Sequence, residues 1–291
     1  MSSTINQPAF ARSNWTERQR QAIVVNAHPG GRFPGVNLPP DWFTARDERV
    51  EVPSVLPSPG DLPGIYEAVV EMSSGIRDAA LAAFAEGKHP MLIGGDHALI
   101  MGTLAAATAV HPRVGVVWVD AHADFNTPET SPSGNPHGMP LAVGCGLGDA
   151  RLTGLFSRFV KPADVVLIGA RDIDPGEAKL LEAQGIWHVT VAEVREMGVE
   201  TLARRIAEKL DGVPMHLSFD FDALTGEVFC ATGTPVPNGF SADEGEALLR
   251  ALAATPLDWV SSDWVEYDPR HEAAPECAAI ARRMFGAFHQ G

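Results

Sequence analysis

From Leu92 onward, short runs rich in β-branched and aromatic residues alternate with segments of helical spacing, and few architectures accept that alternation. Strand, helix and strand in repetition pack as a parallel sheet with helices on both faces. Strands are predicted at Met91-Leu92-Ile93, Val114 to Val119, Asp164 to Gly169, Ile186 to Thr190, Met215 to Phe219 and Trp259 to Glu266. Helices are predicted over Gly64 to Ala85, Leu99 to Val110, Gly176 to Ala183, Val199 to Leu210, Ala242 to Ala254 and Cys277 to Phe288. The expected class is α/β with a doubly wound sheet. No internal repeat or low-complexity linker divides the 291 residues, so a single domain spanning 1–291 is expected. Between Pro29 and Pro63 the chain is dense in Pro and Gly, which predicts an irregular segment laid over the surface.

Composition removes several functions. A formal charge of −15 without a Lys/Arg cluster argues against nucleic acid, whose phosphates need neutralising. No stretch reaches the roughly 18 apolar residues of a membrane span, and Met1 to Trp15 lacks a signal-peptide core. The chain reads as soluble and cytoplasmic. Its three cysteines, Cys145, Cys230 and Cys277, are far apart, form no CxxC pair and are odd in number, so they suggest neither a disulfide framework nor a thiolate zinc site. They read as small buried or half-buried side chains.

In open parallel sheets ligands bind beyond the carboxyl ends of strands, and three predicted strands end in polar clusters. Ile93 leads into Gly94-Gly95-Asp96-His97, Val119 into Asp120-Ala121-His122-Ala123-Asp124, and Phe219 into Asp220-Phe221-Asp222. Alternate residues of an extended chain project to one side, which groups Asp120, His122 and Asp124, and likewise Asp220 with Asp222. Four carboxylates in one pocket repel one another unless cations compensate, and two divalent ions balance them. Oxygen-rich ligation with two imidazoles and no thiolate favours a hard ion such as Mn²⁺, with Zn²⁺, Co²⁺ and Fe²⁺ left open.

These stretches resemble the arginase (ureohydrolase) family: GGDHALIMGT at Gly94 to Thr103, VDAHADFNTP at Val119 to Pro128 and SFDFD at Ser218 to Asp222. Further blocks agree in order: SGNPHGMPLA from Ser133, RDIDPGE from Arg171, ATGTP from Ala231 and VEYDP from Val265. The resemblance covers Leu92 to Pro269 and implies a three-layer α/β/α sandwich with a mostly parallel sheet. It implies two Mn²⁺ per chain, one held by His97, Asp120, Asp124 and Asp220, the other by Asp120, His122, Asp220 and Asp222. Asp120 and Asp220 would bridge. It further implies that Asp124 moves a proton to the leaving nitrogen, Glu266 pairs with the guanidinium group and His137 shuttles protons at the pocket mouth. Subunits of this family commonly form trimers or hexamers, so a homo-oligomer is expected.

The metal ligands are common to arginases, agmatinases, guanidinobutyrases and formiminoglutamases. The Ser133 to Gly138 loop discriminates better, because it looks like the arginase version, in which Asn126, Ser133 and Asn135 hydrogen-bond an α-carboxylate. Asp174 and Glu177 would then face the α-ammonium. L-Arginine carries both charges and agmatine lacks the carboxylate, so arginine hydrolysis to ornithine and urea is the leading expectation. Related single-zinc deacetylases need only two Asp and one His and give the second ligand set no role. A non-catalytic homologue would lack ligands or the Glu, and this chain has all of them. Three departures stand out: Ala98 replaces the usual Ser, Thr225-Gly226 replaces Asp-Pro, and Gly30-Gly31-Arg32-Phe33-Pro34-Gly35 stands where a Gly-Pro segment is usual.

Overall fold

The computed structural model describes residues 15–25, 27–29, 47–51, 57–58, 60–268 and 276–289. Their strands are β1 (Arg20–Val24), β2 (Asp47–Glu51), β3 (His89–Ile93), β4 (Gly115–Val119), β5 (Val165–Ile168), β6 (Trp187–Val189), β7 (Pro214–Asp220) and β8 (Asp258–Val265). All pair in parallel in one sheet of order β2-β1-β3-β8-β7-β4-β5-β6. The helices are α1 (Leu62–Ala85), α2 (Ile100–Val110), α3 (Pro140–Gly144), α4 (Ala150–Thr153), α5 (Pro175–Gln184), α6 (Val191–Met197), α7 (Val199–Lys209), α8 (Ala242–Ala253) and α9 (Glu276–His289).

Strand alternation divides the core between two layers. Val117, Val119, Val166, Ile168, Leu217 and Phe219 face one cluster, closed by Leu202 and Ile206 of α7, Leu248 and Leu252 of α8, and Met284 and Phe288 of α9. Val116, Trp118, Val165 and Leu167 face the other, closed by Val69, Met72 and Ile76 of α1 and Leu104 of α2. Because both faces are covered, the strands read as continuous apolar runs, and the expected α/β/α sandwich is the architecture observed. Helix α1 and helix α2 approach closely at Gly102, where a Cβ would stand 2.6 Å from the Ser73 carbonyl oxygen.

Two further strands were not among those expected. β2 reads Asp-Glu-Arg-Val-Glu, of weak strand propensity, whereas β1 runs into Ala22-Ile23-Val24, a β-branched strand signal that the sequence does carry. The stretch Pro29 to Pro63 is therefore not irregular throughout, since it contains β2 and the start of α1. Sheet edges tolerate charged sequence because charge discourages pairing with other chains, and β2 is an edge. The Gly30 to Gly35 segment lies outside the described residues. β1 is anchored from the other end of the chain, with Arg20 Nη1 donating to the His289 carbonyl at 3.0 Å. Trp15 packs on Phe288 with ring centroids 4.8 Å apart.

The strand order places the chemistry. β3, β8, β7 and β4 are consecutive neighbours, so the chain leaving each strand converges above the sheet's carboxyl edge. These exits carry His97, Glu266, Asp220 with Asp222, and Asp120 to Asp124.

Candidate metal centre

After β3 the chain reverses through Gly94 and Gly95, both at positive φ. Gly95 holds φ 80°, and a Cβ there would stand 3.1 Å from the Ala27 carbonyl oxygen, so the turn favours glycine. Asp96 then accepts the Ala98 N–H at 3.0 Å and opens a short 3₁₀ turn that presents His97. At position 98, Ala is fully buried and keeps this bond through its backbone.

The His97 ring lies flat on Trp118, centroids 4.2 Å apart and planes within 9°, and its Nε2 meets Ser218 Oγ at 2.8 Å. Its Nδ1 therefore points at the carboxylates: Asp124 Oδ2 at 2.9 Å, Asp120 Oδ2 at 3.0 Å and Asp220 Oδ2 at 3.1 Å. No one of the three contacts satisfies Nδ1 as a hydrogen bond, although all three carboxylates stand within ion-pair distance of it. Bonds of about 2.1 Å at right angles around a divalent ion put neighbouring ligand atoms about 3 Å apart, so these atoms fit one ion better than one proton.

A second group adjoins the first. His122 Nδ1 lies 3.0 Å from Asp222 Oδ2 and 3.6 Å from Asp120 Oδ1. Asp120 thus belongs to both groups, one oxygen toward each imidazole. It is oriented by Trp118 Nε1 on Oδ2 at 2.9 Å and by the His122 N–H on Oδ1 at 2.7 Å. Asp222 takes the Ala121 N–H at 3.1 Å and the Thr234 hydroxyl at 3.0 Å, while Asp220 Oδ1 takes the Asp222 N–H at 2.8 Å.

The electrostatics call for positive charge. Burial, reinforced by neighbouring carboxylates, raises the carboxyls of Asp220, Asp124 and Glu266, Asp220 and Glu266 the most. Burial opposes the imidazolium forms of His97 and His122, yet the surrounding carboxylates hold both well above the ordinary imidazole value. Burial likewise opposes an ionised Asp120, and His122 and His97 outweigh it and hold that carboxyl below its usual range. Divalent cations would replace these protons as the compensating charge.

Asp124 and Glu266 also sit at positive φ, 49° and 64°, where non-glycine residues are uncommon. Hydrogen bonds hold the local chain there. The Asp124 carbonyl accepts Leu141 N–H at 3.0 Å and Ala142 N–H at 3.3 Å, and the Glu266 N–H reaches the Gly95 carbonyl at 3.0 Å. Glu266 Oε1 accepts the His97 N–H at 3.0 Å.

A polar cleft opens onto this centre, and Asn126, Ser133, His137, Asp174, Glu177 and Glu266 line it. Asn135 does not line it; its N–H turns back to Ser133 Oγ at 3.2 Å. Glu177 is committed to structure, taking the Phe125 N–H at 2.7 Å and the Asp174 N–H at 3.1 Å, and burial pushes its carboxyl up to about 7. Asn126 Nδ2 donates to Asp174 Oδ2 at 3.0 Å.

Trp118, Ser218, Thr234 and Asp172 are part of this site without having been singled out. Period-two alternation reaches two of them, since Trp118 precedes Asp120 and Ser218 precedes Asp220 by two residues. Asp172, with its Oδ2 3.8 Å from His122 Nε2, and Thr234 fall within quoted blocks, but only folding brings them here. Thr225-Gly226 lies in a turn closed by Thr225 N–H to Phe240 O at 2.8 Å and Gly226 N–H to Val236 O at 3.0 Å, so this departure leaves an ordered loop.

A profile described as "Arginase family" matches residues 50–288. The chain belongs to the arginase family. It is 39% identical over 229 residues to an arginase of Bacillus caldovelox, covering 76% of this chain and 75% of that one. Two solved arginases share its fold. That of Entamoeba histolytica, in complex with L-ornithine, superposes with a TM-score of 0.85 at 29% identity, covering 94% of this chain and 98% of that one. The Bacillus caldovelox structure gives 0.84 at 31% identity over 94% and 99%. Arginase-family enzymes are metal-dependent hydrolases, and the His97, Asp120 and Asp124 group is compatible with a binuclear site. No described helix is long and apolar enough to cross a membrane.

Proposed function

We propose that this chain hydrolyses L-arginine to L-ornithine and urea at a two-metal centre. The observation that carries the reading is the convergence of two imidazoles and four carboxylates on two adjoining points that share Asp120. His97, Asp120, Asp124 and Asp220 would hold one ion, and Asp120, His122, Asp220 and Asp222 the other, with Mn²⁺ the favoured species because most donors are carboxylate oxygens. When bound, the ions supply water activation near neutral pH and neutralise the carboxylates.

The chain's own residues supply the rest. Glu266, buried at the cleft floor, pairs with the guanidinium group and aligns its carbon. Asp124 accepts the proton of the attacking water and returns it to the nitrogen whose bond to carbon breaks. His137, half-buried on the 3₁₀ turn Pro136–Gly138, moves protons between cleft and solvent. Asn126 and Ser133 present hydrogen-bond donors to the substrate α-carboxylate, and Asp174 faces the α-ammonium. Asn135 and Glu177 join them by resemblance, acting through loop shape and through the Phe125 and Asp174 backbones.

The test is a substrate panel with urea detection. L-Arginine is expected to exceed agmatine and 4-guanidinobutyrate by ~10²-fold or more in kcat/KM, because each lacks a group that the polar cleft would satisfy. Faster turnover of agmatine would replace this reading with an agmatinase, and the same panel covers formiminoglutamate. His137→Ala is expected to lower kcat by ~10-fold to ~10²-fold with metal content unchanged, as fits a proton shuttle. Metal loss in that variant would make His137 a ligand instead.

By the same resemblance the enzyme is proposed to be a cytoplasmic homo-oligomer, a trimer or hexamer. Light scattering giving a monomer mass would remove that part.

A further inference from the structure

Cys230 and Cys277 are separated by 47 positions in sequence, yet their sulfurs touch at 3.8 Å. Cys230 is half-buried in the segment after the Thr225-Gly226 turn, and Cys277 is buried in the first turn of α9 at 3% exposure. The segment runs on to Thr234, whose hydroxyl holds Asp222, and the Ala231 carbonyl takes the Asp268 N–H at 2.7 Å. The sulfur contact therefore joins α9 to the chain that buttresses the candidate centre. Nothing in the proposed hydrolysis uses either thiol.

We propose that Cys230 and Cys277 are a redox modification site, closing to a reversible disulfide when the folded enzyme meets a hydroperoxide. Cys230 is the reachable partner. Its sulfur attacks one peroxide oxygen, the O–O bond breaks, and a sulfenic acid and one water leave the step. The Cys277 sulfur then displaces the sulfenic hydroxyl as a second water and forms the S–S bond. Two thiols give up two electrons and two hydrogens in all, and hydrogen peroxide becomes two waters.

The geometry suits this closure. A disulfide bond is about 2.05 Å long, so the sulfurs must approach by about 1.8 Å, a movement that side-chain rotation can share with small backbone shifts. The third thiol provides an internal reference. Cys145 packs against the opposite face of the sheet, and burial pushes its thiol up to about 12. Burial also raises Cys277, partly offset by hydrogen bonds from the Cys230 and Ala231 backbone, and it is the greater exposure of Cys230 that assigns it the first attack.

The experiment uses the metal-loaded full chain, treated with hydrogen peroxide, alkylated under denaturing conditions and mapped by peptide mass spectrometry. The expected result is a Cys230–Cys277 linked peptide with Cys145 as the one alkylated thiol, reversed by dithiothreitol. Tm should rise by about 5 °C in the oxidised form, because the bond closes a long loop in the unfolded chain. Cys230→Ser should abolish the linked peptide and leave Cys277 alkylated. Three alkylated thiols after treatment would overturn the proposal, as would sulfinic acid at Cys230 beside a free Cys277. Mapping of the unsubstituted chain decides the matter if the variant fails to fold. The readout is a covalent bond, so its outcome is independent of the substrate reading.

Discussion

Asp120→Ala should purify with little bound metal and lose at least ~10³-fold in kcat/KM, the scale expected when ions that activate water and hold substrate are lost together. Asp120 is the residue shared by both clusters, with one carboxylate oxygen toward His97 and the other toward His122. Its removal also deprives the Trp118 indole N–H and the His122 N–H of their acceptor, so neighbouring ligands lose orientation as well as a partner. Elemental analysis of wild type and variant, run beside a urea assay, checks both parts. A variant that keeps two ions per chain would remove Asp120 from the ligand set. Chelation of the wild type should reproduce the variant's loss of activity, and re-addition of Mn²⁺ should restore it only in the wild type.

Arg171→Met is expected to cost ~3 kcal/mol of stability and to weaken metal binding ~10-fold to ~10²-fold, although Arg171 touches no candidate ligand side chain. Its guanidinium serves six backbone carbonyls: Nη2 reaches Asp222 O and Val236 O at 2.9 Å and Leu224 O at 3.2 Å, Nη1 reaches Gly169 O at 3.2 Å and Ala223 O at 3.4 Å, and Nε reaches Pro237 O at 2.9 Å. Five of these carbonyls belong to the turn carrying Asp222 and to the loop that packs against it, and the sixth, Gly169 O, follows β5. Methionine would fill much of the volume and strand the carbonyls, a penalty that exceeds the net worth of the bonds themselves. Arg171→Lys restores the charge but not the planar fork, so it should recover less than half of the loss. Urea denaturation and metal titration measure the two effects. Unchanged midpoints in both would mean that the loop holds itself without Arg171.

Arg171 opens the RDIDPGE block that follows β5, yet nothing in that block marks what its side chain holds. An arginine after a strand gives no sign of which carbonyls will surround it, because five of the six lie more than 50 residues away. Asp174 and Glu177 teach a related lesson. Family resemblance implies substrate recognition for them, while folding also places them at the start of α5, where Glu177 ties the Phe125 and Asp174 backbones together.

Sequence alone determined the class of fold, the six strands from β3 onward, and the six ligand candidates. Each of these rests on local rules: strand runs alternate with helical periods, and side chains two apart in an extended chain point the same way. β2 escaped because a charge-rich edge strand gains its stability from its neighbour rather than from its own propensity, whereas the Ala22-Ile23-Val24 run of β1 did carry a strand signal. Only the tertiary structure decided that β8 and β7 insert between β3 and β4, the order that gathers four separate strand ends over one point. It alone turned His97 Nδ1 toward three carboxylates, by stacking the ring on Trp118 and fixing Nε2 on Ser218. It alone set Cys230 against Cys277, two thiols that read separately as inert. Residue type fixes what an atom can do, whereas its direction and partners depend on contacts between segments far apart in the chain.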